Sequence, residues 1–179
     1  MKNMRRFGTI LASAFVGVVA ATAALAQSND SVSALKGHDS NAPVDVTADR
    51  IEVQDRSDRA IFAGNVNVRQ ASLTLQTDRL TVAYSSTGGV QIRRLDAAGG
   101  VVVKSPSETA RGSFGVYDLD AKLITLIGDV QLSRGGSQIN GSRLVIDLTS
   151  GRAVIDGGPP GVGQQGGRVT GRFTVPRRN

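Results

Sequence analysis

The chain has 179 residues, of which 40% are hydrophobic, 20% are charged and 4% are aromatic, and its formal net charge is +6. The basic excess lies at the two ends, because residues 27–167 carry 14 Lys and Arg against 15 Asp and Glu. A nearly neutral body with few aromatic side chains argues against a nucleic-acid groove, and the absence of cysteine excludes a disulfide framework.

The first 26 residues have the pattern of a cleaved signal peptide. Arg5 and Arg6 belong to a short basic start, residues 9–21 form an apolar run of small side chains, and the sequence Ala-Leu-Ala at 24–26 matches a cleavage site. A membrane anchor is the alternative, but the apolar run is shorter than the ~20 residues that a spanning helix needs. We therefore predict removal after Ala26 and export of the remainder.

Residues 27–42 are polar, rich in Ser, Asp and Asn, and without periodicity, which predicts a flexible leader. His38, the only histidine of the chain, lies in this leader. One histidine without any cysteine cannot form a structural zinc site. A solvated side chain is therefore expected for His38.

Apolar and polar residues alternate in short segments throughout residues 43–156, which predicts β-strands. The predicted strands lie near residues 44–46, 51–53, 62–68, 73–75, 80–84, 90–95, 101–104, 114–119, 123–132, 139–148 and 153–155. No segment carries an apolar stripe at helical spacing that is long enough for a helix. The sequence predicts a single all-β domain built from antiparallel hairpins.

A nine-residue stretch of this domain recurs 64 positions later. AIFAGNVNV, from residue 60, aligns with ITLIGDVQL, from residue 124, so that Gly64 and Asn65 match Gly128 and Asp129. The same offset places Arg79 on Arg143. Self-similarity at a fixed period indicates paired supersecondary units.

Residues 157–167 are rich in Gly, Pro and Gln, and this composition predicts a flexible link. Alternation returns in RVTGRFTV, residues 168–175, before a basic tail that runs to residue 179. A strand set apart by a flexible link is a candidate edge strand, whose free N–H and C=O groups can pair with another chain.

The alternating strands give the sheet one apolar face, lined mostly by Val, Ile and Leu. Such a lining can close on itself as a core, or it can line a trough that holds flexible hydrocarbon. Aliphatic surface gains about 25 cal/mol per Å² in either case, so both interpretations stay open on the alternation alone.

Recognised catalytic motifs are absent from the sequence: there is no G-x-S-x-G, no Walker loop and no H-E-x-x-H. Asp118 and Asp120 form a D-x-D pair, but the further oxygen ligands of a calcium loop are missing, which favours a plain turn. We therefore expect no enzyme activity, no metal and no cofactor.

Three stretches together resemble the OstA-like family of lipopolysaccharide-transport proteins. They are PVDVTADRIEV from residue 43, AIFAGNVNVRQASLTLQTDRLTV from residue 60, and VYDLDAKLITLIGDVQLSRGGSQINGSRLVIDLTSGRA from residue 116. The signatures are the doubled Gly-Asn/Asp-Val strand, the A-D-R-I motif at 48–51 with its T-D-R-L echo at 77–80, and the Tyr117-Asp118 pair. The resemblance covers residues 43–155, and it is strongest to the soluble periplasmic members.

The resemblance implies a twisted antiparallel β-roll, shaped like a folded taco and open at one side, whose inner face holds the acyl chains of lipid A. The inward, lipid-binding set would be Val44, Val46, Val53, Phe62, Val66, Val68, Leu73, Leu75, Leu80, Val82, Val101, Val103, Tyr117, Leu119, Leu126, Val130, Leu132, Ile139, Leu144 and Ile146. The strand near Val44 and the strand at 168–175 would join protomers end to end.

The function that the resemblance implies is a periplasmic bridge. It would carry lipopolysaccharide from an inner-membrane extraction complex, with its tethered OstA-like partner, to an outer-membrane translocon. Two alternatives remain: a related OstA-like module of the same pathway, and a structural β-solenoid or filament protein with a solid core and no ligand.

Overall fold

The computed structural model describes Leu35, residues 38–158 and residues 167–175. The predicted signal peptide, most of the predicted leader and residues 159–166 of the predicted link lie outside these residues. The strands are β1 (Val44–Thr47), β2 (Arg50–Gln54), β3 (Arg59–Gln70), β4 (Leu73–Ser85), β5 (Gln91–Lys104), β6 (Glu108–Asp118), β7 (Leu123–Arg134), β8 (Ser137–Asp147), β9 (Arg152–Asp156) and β10 (Thr170–Arg172). One turn of 3-10 helix, Asp55–Ser57, joins β2 to β3.

The ten strands of the described residues belong to one antiparallel sheet, in the order β1-β3-β4-β5-β6-β7-β8-β10. In addition, β2 pairs with β3 and β9 pairs with β8. Each end of the sheet therefore consists of two short strands that lie one after the other along a long neighbour. The open, all-β, antiparallel architecture that the sequence predicted is confirmed.

A line of β-bulges runs across the sheet and folds it. Every pairing from β3/β4 to β7/β8 shifts register near its middle, as between Ala63 and Val66 in β3 and between Ile127 and Val130 in β7. Bulges bend strands and increase twist, so this line is a crease that divides the sheet into two layers. The first layer contains residues 66–70, 73–77, 101–104, 108–112, 130–134 and 137–141 with β1 and β10. The second contains residues 59–63, 79–85, 91–98, 114–118, 123–127 and 143–147 with β2 and β9.

The Gly-Asn/Asp motif forms the crease. Gly64 and Asn65 have φ of 80° and 46°, and Gly128 and Asp129 have φ of 79° and 46°. Positive φ at two successive residues changes the direction of the strand, and glycine adopts positive φ without steric cost. The identical angles confirm that the 64-residue repeat consists of two equivalent hairpins, β3–β4 and β7–β8.

A polar side chain from the preceding strand or turn covers the glycine at each of four points along the crease. The backbone N–H of Asp49 donates to the Gly64 carbonyl at 2.9 Å, and the Asn65 side-chain amide donates to the Asp49 carboxylate at 2.8 Å. The other three pairs are Asp78 over Gly99, Ser113 over Gly128 and Ser142 over Gly158. The Asp of A-D-R-I and of its T-D-R-L echo therefore has a structural role, because it fills the space above a bulge.

The sequence-based strand assignment was wrong at several strands. It began β6 near residue 114 instead of at Glu108, and it extended the last strand over residues 168–175, whereas β10 spans Thr170–Arg172. It also divided β4 into segments at 73–75 and 80–84, and β5 into segments at 90–95 and 101–104, whereas each is one continuous strand. A bulge adds one residue and so reverses the alternation of apolar positions. In sequence this looks like a turn, above all where Gly99-Gly100 forms the bulge.

The two layers face each other and bury one face each. Leu80, Leu95, Leu126, Leu144, Ile146, Val66, Val101 and Val130 are the largest side chains that are almost completely buried between them. Burying such a side chain contributes about 1.5–3 kcal/mol, so the aliphatic interior is what holds a fold without disulfides together.

Candidate functional site

Most of the twenty predicted groove residues lie between the two layers. Those that are buried are Val66, Val68, Leu73, Leu75, Leu80, Val82, Val101, Val103, Tyr117, Leu126, Val130, Leu132, Leu144 and Ile146. Those that are half-buried are Val44, Val46, Phe62, Leu119 and Ile139. Val53 is the exception, since 57% of it is exposed.

Side chains fill the centre of the roll. The cavity between the layers there has a volume of about 10 Å³, and its wall combines first-layer residues such as Val68 and Leu75 with second-layer residues such as Leu95 and Leu126. A cavity of this size has room for about one water molecule. The sequence left two interpretations open, a closed core and a trough for hydrocarbon. In this conformation the centre of the roll is a closed core.

The roll is open at the end formed by β1 and β2. A cleft of about 730 Å³ lies between Val44 and Val46 of the first layer and Ile51, Val53 and Phe62 of the second. We call this cleft the mouth. Its wall is completed by Asp55, Asp58, Ala60, Val82, Tyr84, Ser86, Val90 and Ile92. Val53 is thus not buried as predicted, but it faces the mouth, because its strand is the outermost one of the second layer.

The mouth includes residues that the predicted groove set did not contain. Ile51 is 56% exposed and Val90 is 75% exposed, and Tyr84 and Ile92 also line the cleft. Exposed large aliphatic residues at a sheet end are a sign of a binding surface. Sequence alone could not show this, because alternation does not tell which apolar positions remain uncovered.

The layers also meet on the side opposite the crease, along a line that we call the seam. There Tyr117, near the end of β6, donates a hydrogen bond of 2.9 Å to Gln70 at the end of β3. Gln70 is 3% exposed. Its side-chain amide donates to the carbonyl oxygens of Ser40 and Ala42, both at 3.0 Å.

Leu35 and residues 38–42, the described part of the predicted leader, therefore pack on the roll, in contrast to the expectation of a flexible leader for all of residues 27–42. Leu35 is 8% exposed and belongs to the core. The expectation of a solvated His38 was also wrong, because its Nε2 lies 3.1 Å from Gln70 Oε1. The buried glutamine offers donors and an acceptor, which is why this polar segment binds there.

Glu108 is a buried carboxylate at the first-layer side of the seam, 7% exposed. Burial raises its pKa above the ordinary value, and the guanidinium of Arg134, whose nitrogen lies 3.3 Å from Oε1, acts in the opposite direction. Both residues line an open polar groove of about 430 Å³ between the β5–β6 and β7–β8 turns. Burial also raises the pKa of Tyr117 to about 12, so this phenol remains neutral near pH 7.

The described residues contain no group of three or more His, Cys, Asp and Glu side chains that could hold a metal ion. Asp118 accepts a hydrogen bond from the backbone N–H of Ala121 at 2.8 Å, and Asp120 pairs with Arg93. The D-x-D pair thus stabilises a turn, as its interpretation as a plain turn predicted. None of the described residues forms a helix long and apolar enough to span a membrane.

Residues 45–152 match the family model described as LptA/(LptD N-terminal domain) LPS transport protein. The chain belongs to this family. The matched residues span more than half of the chain and include the whole crease between β3 and β8. The OstA-like resemblance read from the sequence, close to LptA, is therefore confirmed, and family membership makes the chain a lipopolysaccharide-transport module and not an enzyme.

Two further proteins are similar to this LptA-like chain. An uncharacterized protein of Rhizobium meliloti (strain 1021) is 33% identical over 159 residues, which cover 84% of this chain and 86% of that protein. The crystal structure of LptH, described as the LptA homologous periplasmic component of the conserved lipopolysaccharide transport device from Pseudomonas aeruginosa, superimposes with a TM-score of 0.68. At 18% identity, covering 77% of this chain and 99% of LptH, that likeness shows the shared fold.

Proposed function

We propose that this protein is a periplasmic carrier that holds the acyl chains of lipid A between its two layers and bridges inner- and outer-membrane transport complexes. Family membership and the periplasmic description of LptH support this proposal. It includes cleavage of residues 1–26 and export of the remainder. The lipid-binding set is the inward-facing residues named above, extended by Ile51, Val90 and Ile92 at the mouth.

The observation that carries the proposal is that the mouth adjoins the buried interior. Val44 lines both the mouth and the central cavity. The volume of the mouth, about 730 Å³, falls in the range of about 300–1,000 Å³ that is typical of ligand pockets. Hydrocarbon that enters between Val46 and Phe62 would therefore meet a mainly apolar wall, which Val44 shares with the central cavity.

The mechanism is physical. Each CH₂ group removed from water is worth about 0.8 kcal/mol, so an acyl chain cannot cross an aqueous compartment uncovered. An aliphatic lining removes this barrier and offers no directional contact that would hold the chain in one place. Since the centre of the roll is filled, passage also requires the two layers to separate.

End-to-end stacking of protomers would make the covered path continuous. β1 with β2, and β9 with β10, form the two edges of the sheet, and edges present backbone groups that can pair with another chain. β10 pairs with β8 of its own chain through Thr170, Gly171 and Arg172. The opposite edge of β10 would then receive the next protomer or the outer-membrane translocon, and β1 with β2 would receive the tethered inner-membrane partner.

Photo-crosslinking in living cells tests the proposal. A photoreactive amino acid at Phe62, which lines the mouth, or at Val68, which lies between the layers, is expected to form adducts with lipopolysaccharide. Ile127 is the matched control, because it is 45% exposed on the outer face of the sheet. Equal yields at all three positions, or no adduct at Phe62 and Val68, would contradict the proposal.

A structural filament protein with a solid core is the second candidate, and the filled centre favours it. A related OstA-like module of the same pathway is the third, since the family description includes LptD N-terminal domains. Binding of lipopolysaccharide by the purified chain separates the first two, because a solid-core filament would polymerise without taking up lipid. Depletion of the protein from cells should stop lipopolysaccharide transport. If only the exported soluble chain restores transport, the protein is a bridge and not a tethered module.

A further inference from the structure

Leu35 and residues 38–42, which precede β1, lie along the seam, where the two layers meet. Leu35 lines a small cavity with Val103 and Leu132 of the first layer and Ile146 of the second. The carbonyls of Ser40 and Ala42 accept the two hydrogen bonds of the Gln70 amide. Leu35 and residues 38–42 thus contact both layers at points far from the crease. We call Leu35 and residues 38–42 the strap.

We propose that the seam is a lateral entry site for an acyl chain, and that the strap occupies this site until lipid displaces it. The inference rests on the proposed function and assigns a second way into the same interior. The seam is the natural place for lateral entry, because the crease is covalently continuous and the layers can part only at the opposite side.

The chemistry of the strap supports this assignment. Leu35 contributes a branched aliphatic side chain to an aliphatic cavity, and a saturated acyl chain would make the same kind of contact. Ser40 and Ala42 contribute carbonyl oxygens to Gln70, and the ester and amide carbonyls at the start of an acyl chain are acceptors of the same kind. The strap therefore resembles the portion of an acylated lipid that joins hydrocarbon to polar headgroup.

Gln70 connects the strap to both layers of the roll. Its Oε1 accepts from Tyr117 of the second layer at 2.9 Å and lies 3.1 Å from His38 Nε2 of the strap. Among the described residues, its amide group donates to the strap carbonyls. Loss of the strap removes both of these acceptors, and a ligand that supplies carbonyl oxygens at the same place would restore the hydrogen bonds.

Distance measurements between spin labels test the proposal. The chain has no cysteine, so Asp39→Cys on the strap and Ser107→Cys on the β5–β6 turn give unique labels at two exposed sites. Purified rough-type lipopolysaccharide is expected to shift the distance distribution to longer values. The deacylated saccharide of the same lipopolysaccharide is expected to cause no shift, because it lacks the hydrocarbon that competes with Leu35.

Two variants test the contacts. Leu35→Ala removes the aliphatic anchor, and Gln70→Glu replaces the amide donor by an acceptor, so each is expected to lengthen the distance before lipid is added. Leu148→Ala is the control, because Leu148 is 7% exposed, close to the 8% of Leu35, and lies at the β8–β9 turn. It is expected to lower the melting temperature without moving the strap.

The outcomes separate the two proposals. Binding of lipopolysaccharide with an unchanged distance would overturn the strap proposal and leave the carrier function in place. A shift of equal size with the deacylated saccharide would also overturn it. If the wild-type chain bound no lipopolysaccharide at all, the proposed function would fall and the strap proposal with it.

Discussion

Tyr117 on β6 donates a hydrogen bond of 2.9 Å to Gln70 on β3, although β4 and β5 separate these two strands in the sheet. The bond therefore crosses the interior and joins the two layers. Without it, the layers would be held together at this point by apolar contacts alone.

Tyr117→Phe is expected to lower the free energy of unfolding by about 1 kcal/mol, because it removes one buried hydrogen bond and leaves the ring in place. Tyr84→Phe is the control, since the Tyr84 hydroxyl is 3.4 Å from Asp55 and solvent reaches it. Urea denaturation measures both. An equal change in the two variants would show that the bond between the layers adds no more to stability than the exposed bond of Tyr84.

The crease gives a second prediction. Gly64 and Gly88 have nearly the same φ, 80° and 79°, but a Cβ at Gly64 would collide with the Asp49 carboxylate, whereas nothing lies within 4 Å at Gly88. Gly88→Ala is expected to cost about 1–2 kcal/mol for the left-handed conformation, and Gly64→Ala more. In an Asp49→Ala background the cost of Gly64→Ala should fall toward that of Gly88→Ala, as a double-mutant cycle would show. Additive costs would argue against the packing of Asp49 on this glycine.

A charge placed between the layers tests the interior. Leu132→Asp puts a carboxylate at a site that is 9% exposed, and it is expected to abolish lipopolysaccharide binding and to destabilise the fold by more than about 3 kcal/mol. Ile127→Asp, on the same strand but on the outer face, should cost less than about 1 kcal/mol and leave binding unchanged.

Because Leu132→Asp can lose binding simply by unfolding, Val53→Asp serves as a second variant. Val53 is 57% exposed at the mouth, so its replacement should change stability by no more than about 0.5 kcal/mol and still weaken binding. Melting curves and lipid-binding isotherms of the three variants provide the comparison. Full lipid binding by a folded Val53→Asp protein would remove the mouth from the path of the acyl chain.

Glu108 makes the stability depend on pH. Burial raises its pKa, so the folded state keeps the proton to higher pH than the unfolded chain, whose glutamates titrate at about pH 4.3. The stabilising contribution is complete below that pH and is lost as the pH rises through the folded-state pKa. Glu108→Gln is expected to remove this dependence and to raise the melting temperature near neutral pH.

Asp147 serves as a control for Glu108, because its pKa is shifted in the opposite direction. Hydrogen bonds from Ser150 and then from the backbone of Thr149 lower its pKa. Its contribution is therefore present above the pKa of an unfolded aspartate and is lost as the pH falls through the folded-state pKa. The melting temperature of each variant, Glu108→Gln or Asp147→Asn, is subtracted from that of the wild type at each pH in the acidic range. This difference should fall with rising pH for Glu108→Gln and rise with pH for Asp147→Asn. Parallel slopes would contradict the burial of Glu108.

The sequence by itself determined the β-class, the alternation of the strands and the family, because these depend on local patterns. A period of two marks the strands, and the paired Gly-Asn and Gly-Asp motifs mark two equivalent bulges. It also identified most inward-facing residues, since every strand presents alternate side chains to the same layer.

Only the tertiary structure decided how these elements combine. It showed that the bulges align as one crease, that Val53 faces an open mouth, and that Leu35 and His38 pack along the seam. It also showed that side chains fill the centre of the roll. The physical reason is that exposure, cavity volume and contacts between layers depend on the folding of the whole sheet, which brings together residues such as Gln70 and Tyr117 that no local pattern connects.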